Sequence, residues 1–198
     1  MLETAKHSVG KATDLGRRPR EGLPCLVRAR KPLLFRFTDD GETPNNPRWP
    51  LVLFRSPVLL HQASDPAAVF EVIFGANGWR ECWRDGIYDY LHFHTRTHEV
   101  LGIARGSARV QFGGAAGRAL HLKAGDVVVL PAGTGHQRLS ASHDLVVVGA
   151  YPARSGNYDE PRPSAVEHMQ AVKRIEKVKA PPTDPVFGKN GPLLELWQ

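Results

Sequence analysis

Between residues 79 and 151 the sequence repeats short apolar runs, which are separated by glycine-containing turn formers such as Gly106-Ser107. Runs of about four to eight residues bounded in this way are typical of β-sandwiches and β-barrels. We therefore expect an all-β fold in this region. The expected strands are Ile87–His94, Glu99–Arg105, Ala108–Phe112, Ala119–Leu122, Val127–Leu130, His136–Ser140 and Leu145–Tyr151.

Shorter elements are expected on both sides of this region. Asp65-Pro66 supplies an N-cap and a first-turn proline, which predicts a helix over about 67–74. Residues 164–167 form a capping box, which predicts a second helix that ends near residue 174. The remaining expected elements are strands at Leu33–Phe37 and Leu51–Phe54 and an extended C-terminal strap anchored by Trp197.

Charge is concentrated at the N-terminus. The 198-residue chain has a net charge of +6, and residues 1–31 carry +5 of it. We expect a solvated basic extension there, with contact to nucleic acid or anionic lipid as the alternative. No aromatic residue lies among these charges, so we do not expect nucleic-acid binding. The apolar runs are too short to span a membrane and no signal peptide is apparent, which favours a cytoplasmic protein.

Metal-binding residue types crowd into the window from His92 to Glu99. His92 and His94 are two residues apart, so both side chains project to the same face of an expected strand. Glu99 shares a face with apolar residues of the next strand, which suits an interior, whereas His98 has the opposite parity. His98 remains open as an alternative ligand or a neighbour of the ligands. Imidazoles and a carboxylate together suit Fe, Mn, Ni, Cu or Zn.

Two spaced motifs contain these residues. The first, Gly-x5-His-x-His-x4-Glu-x6-Gly, runs from Gly86 to Gly106, and the second, Gly-x5-Pro-x-Gly-x2-His, runs from Gly125 to His136. Both resemble the two motifs of the cupin superfamily, although Ser140 stands where the second motif usually ends in Asn. The segments PNNP, NGW, WRDGIY, AGDVVVLPAGTGH and DPVFG further resemble the single-domain bacterial cupins of the YjlB-like group.

The resemblance implies a jelly-roll-like cupin β-barrel with short flanking helices. It covers one domain, residues 32–198, with a motif core at 79–151 and a C-terminal helix and strap at 163–198. It also implies one divalent transition metal per chain (Fe, Mn, Ni or Zn). The implied ligands are His92, His94, Glu99 and His136.

Three imidazoles and one carboxylate leave roughly two of six coordination positions open. This favours a small-molecule metalloenzyme of the dioxygenase or isomerase type, and the alternative is a non-catalytic cupin that binds a metal or a small ligand. The resemblance does not indicate the substrate. It does imply a homodimer, for which Leu33–Phe37 and Leu51–Leu60 are candidates to seal a partner's sheet edge.

Three further residues are candidates for the pocket on parity alone. Tyr88 and Tyr90 share the parity of His92 and His94, so they either face the same interior site or pack in the barrel. Arg138 shares the parity of His136, so it either binds a substrate anion or forms a salt bridge at the rim.

Overall fold

A computed structural model describes residues 26–60, 63–153, 155 and 157–198. Residues 1–25 of the expected basic extension lie outside the described residues. In the described part of the chain, no helix is both long and apolar enough to cross a membrane.

The strands of the described chain form two antiparallel sheets, with only short helices beside them, which confirms the all-β prediction. The larger sheet has the strand order β1-β2-β7-β4-β9-β3, and the smaller sheet has the order β6-β5-β8. The strands are β1 Leu33–Phe35, β2 Leu51–Phe54, β3 Trp79–Asp85, β4 Glu99–Arg105, β5 Ser107–Phe112, β6 Arg118–Lys123, β7 Val127–Leu130, β8 His136–Ala141 and β9 Val146–Pro152.

The central strands of the larger sheet are buried on both faces. Leu101 and Ile103 of β4 pack into the core between the two sheets. Val100, on the opposite face, packs in a second core that contains Phe70 and Trp197. A β-carbon at Gly102 would lie 2.4 Å from Cδ1 of Phe70. Only glycine therefore allows the helix that contains Phe70, residues Pro66–Ala76, to approach β4 this closely. The strand parity expected for β4 is therefore confirmed.

The helices begin where the sequence predicts. In α1, Pro66–Ala76, the N-cap Asp65 accepts hydrogen bonds from the backbone of Ala67 and Ala68. In α2, Ala165–Ile175, Ser164 accepts one from the Glu167 backbone at 3.2 Å. Both caps satisfy backbone N–H groups that the first helical turn leaves without partners.

The C-terminal segment differs from the expected extended strap, because Leu193–Leu196 forms a short helix, α3. Trp197 is nevertheless a buried anchor, as expected. Its ring stacks on Trp49 with 5.6 Å between centroids, and its indole N–H donates to the carbonyl of Pro50 at 3.0 Å. These contacts hold the end of the chain against the outer face of the larger sheet.

The prediction of a strand over Ile87–His94 is wrong, and β3 over Trp79–Asp85 was not expected. In residues 86–98 only His92 makes a strand-like bridge, to His136. The Phe93 N–H donates instead to the carbonyl of Pro161 at 3.2 Å, so a loop partner replaces the sheet ladder. Most residues of β3 are charged and the strand is half-exposed, so it lacks the apolar run that predicts a strand.

Candidate metal centre

The two motifs meet through one pair of backbone hydrogen bonds. The His92 N–H donates to the carbonyl of His136 at 3.2 Å, and the His136 N–H donates back at 2.9 Å. The imidazole centroids of these residues are consequently 4.1 Å apart. Gly133 supports the same junction, because its N–H donates to the carbonyl of His94 at 2.7 Å. Its φ of +92° and the nearby Asn45 carbonyl exclude a side chain there.

Four of the expected site residues converge at this junction. Oε2 of Glu99 lies 3.3 Å from Nε2 of His94 and 3.2 Å from Nε2 of His136. One ring nitrogen from each of three imidazoles lies within 4.8 Å of the other two; these belong to His92, His94 and His136. All four side chains are between 2% and 4% exposed. The structure thus places a buried carboxylate beside a triad of imidazoles.

Backbone carbonyls set the same tautomer on all three imidazoles. Each Nδ1 lies within hydrogen-bonding distance of a carbonyl, which can only accept, so each Nδ1 carries the proton. In the neutral ring the lone pair is then on Nε2, where a metal would need it. The carbonyl partners are Tyr90 for His92 at 3.1 Å, Asp159 for His94 at 2.6 Å and Thr134 for His136 at 3.1 Å.

The inner side of the centre holds polar atoms without hydrogen-bond partners. Among the described residues, the buried side-chain atoms without a hydrogen-bond partner are Nε2 of His94 and Oε2 of Glu99. Leaving such atoms unpaired in a protein interior costs roughly 1–3 kcal/mol each. A cation coordinated between them would satisfy both, so the residues present fit a metal ion.

Burial and mutual charge shift the protonation of the centre. Burial, together with the neighbouring His136 and His94, lowers the pKa of His92 to about 2. Burial disfavours the charged forms of His94 and Glu99 as well, but the attraction between the imidazolium and the carboxylate outweighs this effect of burial. This attraction raises the pKa of His94 above its ordinary value and holds the pKa of Glu99 well below its own.

The cavity at the triad is small and mixed in character. Its volume is about 20 Å³, which is roughly room for one water molecule. Apolar walls come from Trp83, Ile87 and Leu101, and Tyr158 lines it as well. A ligand of more than a few atoms does not fit beside the triad unless one of these walls moves.

His98 lies outside this cluster. Its Nδ1 accepts a hydrogen bond from the Ala132 N–H at 3.0 Å, and its Nε2 lies 3.0 Å from the carbonyl of Lys179. Its ring packs against Trp49 and Trp197, with centroids 5.5 Å and 4.8 Å away. The structure therefore places His98 in the outer core, on the face of β4 opposite to Glu99.

The remaining candidates lie around the rim of the centre. Tyr88 lines the cavity, and its ring contacts His92 edge-on with centroids 5.2 Å apart. Tyr90 stacks on Tyr88 and donates its hydroxyl proton to Glu160. Arg138 donates to the carbonyl of Ile87 at 2.8 Å and is 3.9 Å from a carboxylate oxygen of Asp89, so it is placed at the rim.

Sequence reasoning missed the segment after β9, which covers the centre. The Asp159 carboxylate accepts a hydrogen bond from the Thr95 N–H at 2.8 Å, while the Asp159 carbonyl holds His94. The ring of Tyr158 packs on His94 with 4.9 Å between centroids. The only signal for this role is a run of polar and aromatic residues in a proline-rich loop, and that composition alone does not indicate a site.

The comparisons with known proteins agree with this fold. A family model described as "Cupin" matches residues 84–160. The chain is 42% identical over 161 residues to the Bacillus subtilis (strain 168) protein titled "Uncharacterized protein YjlB", covering 81% of this chain and 93% of that one. The chain therefore belongs to the cupin family, and it carries the histidine triad of a candidate metal site.

Solved structures give more distant matches. An acireductone dioxygenase from Bacillus anthracis is 15% identical with a TM-score of 0.34, over 47% of this chain and 63% of that chain. An oxalate decarboxylase from Lactobacillus farciminis is 20% identical with a TM-score of 0.34, over 67% and 33%. The chain spans less than two thirds of either structure. At this level of similarity their reactions do not transfer to this chain.

The buried position of His98 predicts a pH-dependent stability. Burial lowers the pKa of His98 to about 4 from an ordinary 6.5. As the pH falls from 6.5 towards 4, the unfolded chain gains a proton that the folded chain resists. The free energy of unfolding should then fall by up to about 1.4 kcal/mol per pH unit through this residue. In urea titrations, the His98→Gln variant should lose that part of the slope, and parallel curves for both proteins would contradict the assignment.

Proposed function

We propose that the chain binds one divalent transition metal (Fe, Mn, Ni or Zn) through His92, His94, Glu99 and His136. The observation that carries this proposal is the convergence of buried, unpartnered polar atoms inside the centre. The uniform Nδ1–carbonyl contacts support it, because they present all three Nε2 lone pairs to one point. The donor set of imidazoles and one carboxylate is the one that these metals share.

We further propose that the metal centre serves a small-molecule enzyme of the dioxygenase or isomerase type. A bound metal would supply Lewis acidity, and a redox-active one would add electron transfer. The chain's own groups orient and shield the centre. Nδ1–H donation fixes the imidazoles, and Trp83, Ile87 and Leu101 keep bulk water from the inner cavity. The alternative, a non-catalytic binding protein, is favoured by one observation, the 20 Å³ size of that cavity.

The ligand assignment predicts a contrast between two adjacent residues. Glu99→Gln removes the anionic oxygen, so metal affinity should fall by more than the roughly 10- to 100-fold that loss of a supporting contact typically costs. The matched control His98→Gln, on the other face of the same strand, should change affinity by less than about tenfold. The measurement is metal content and competitive chelator titration at a temperature well below unfolding.

Two results would contradict the metal proposal. One is wild-type protein with well under one equivalent of metal that gains none from added Fe(II), Mn(II), Ni(II) or Zn(II). The other is the reverse contrast, in which His98→Gln loses the metal and Glu99→Gln keeps it.

Catalysis and simple binding are separable by incubating metal-loaded protein with a small-metabolite extract under air. An enzyme should deplete at least one small molecule and generate a product of related mass, whereas a binding protein should only retain a ligand on gel filtration. The control is the His94→Ala variant, which lacks one proposed ligand. Depletion that is equal for wild type and His94→Ala would count against a metal-dependent reaction.

We also propose that the protein is a homodimer that pairs at β1. Among the described residues, no strand pairs with the outer edge of β1. Leu33 and Leu34 are 46% and 47% exposed there, and an open apolar edge favours pairing with another copy. In the other expected segment, Leu51–Leu60, β2 is buried and already paired on both sides, so the proposal rests on β1.

Light scattering at micromolar concentration should show a dimer for the wild type. Substituting Leu33 and Leu34 together by Lys should shift it towards monomer, because charge on the edge opposes pairing. Val166→Lys is the matched control, since Val166 is an exposed apolar residue on α2. A monomeric wild type would refute the β1 interface.

A further inference from the structure

Two spaces share one aromatic side chain in their walls. The inner cavity at the triad has a volume of about 20 Å³, whereas an outer cleft of about 640 Å³ lies beside β3 and β9. Among the described residues, Tyr158 is the one that lines both spaces. The Tyr158 side chain is therefore part of the wall of both an open cleft and a nearly filled metal centre.

The Tyr158 ring is held on several sides. It packs on His94 with 4.9 Å between centroids and on Tyr151 with 5.4 Å between centroids. Its hydroxyl donates to the Glu160 carboxylate, which also accepts the hydroxyl of Tyr90. Aromatic contacts and charge-assisted hydrogen bonds of this kind fix a side chain in one position. The position of the ring in both walls is thus fixed by its packing.

The wall of the outer cleft carries a backbone irregularity. The pairing of β3 with β9 shifts register between Arg80 and Trp83. Glu81, within that bulge, has a φ of +55° and lines the cleft together with Arg80. A non-glycine residue in this conformation stores strain, and such strain and bulges concentrate beside functional sites. The wall of the outer cleft therefore has features that are common beside functional sites.

We propose that Tyr158 determines the size of ligand that reaches the metal centre. With the ring in place, the centre admits ligands of up to about three atoms, such as water, dioxygen or azide. Shortening the side chain joins the outer cleft to the inner cavity, so that a planar organic anion binds as well. This inference rests on the proposed function, because it presumes that the triad and Glu99 hold a metal.

The test compares two anionic probes on full-length protein loaded with Co(II), whose visible spectrum reports ligation. Azide is the small probe and 4-nitrocatechol is the large one. Wild type should respond to azide but not to 4-nitrocatechol. Tyr158→Ala should bind 4-nitrocatechol at least about tenfold more tightly than wild type, which corresponds to about 1.4 kcal/mol, with azide affinity within about threefold. Tyr158→Phe, which keeps the ring and loses only the hydroxyl, should behave as wild type.

The outcomes separate this inference from the proposed function. Failure of wild type to take up Co(II) overturns the proposed function, and this inference with it. With Co(II) bound, two results overturn the size role alone. In one, wild type binds 4-nitrocatechol as tightly as Tyr158→Ala does. In the other, Tyr158→Ala binds azide but excludes 4-nitrocatechol. If Tyr158→Ala loses Co(II), the same comparison is made with Tyr158→Leu, which keeps an apolar cover on His94.

Discussion

The reciprocal backbone hydrogen bonds between His92 and His136 are the constraint on which the centre depends. They join a loop that leaves the larger sheet to the first residue of a strand in the smaller sheet. Because the contact is made by the main chain, it fixes the positions of both imidazoles independently of what their rings bind. Glu99 then completes the site from β4, whose register places its side chain towards the space between the sheets.

Around this junction, backbone carbonyls orient the three imidazoles. Each imidazole is held by a carbonyl from an irregular segment, and one of these segments follows the last strand. Loops are able to do this because their carbonyls are not used in a sheet ladder. The failure of residues 86–98 to form a regular strand is therefore part of how the centre is built.

The sequence was sufficient for the strands whose apolar runs are regular, and β4 and β7 match their expected bounds. It was also sufficient for the two helix caps, because caps are local. The sequence was not sufficient for β3, because this half-exposed strand consists mostly of charged residues and has no apolar run. Opposite parity separated Glu99 from His98, but the partners of His98 lie 34 to 99 residues away in sequence and no local pattern indicates them.

Long separation in sequence also explains why the residues that cover the site are not predicted. The cover formed by Tyr158, Asp159 and Glu160 depends on a loop that crosses back over residues 90–96. Proline and polar residues predict a loop, but not where the loop goes. Spaced motifs thus indicate residues that share a site when the spacing is short and regular, and they miss residues that tertiary packing brings in.

The packing of Trp197 has a consequence for the order in which the molecule forms. Trp197 is the penultimate residue, yet its ring contacts His98, the residue directly before Glu99. Every strand of both sheets precedes it in the chain. During synthesis, every strand of both sheets is therefore made before Trp197, which is part of the outer support of β4. The flank of the candidate metal centre is in this sense completed later than the strands themselves, although Glu99 lies in one of those strands.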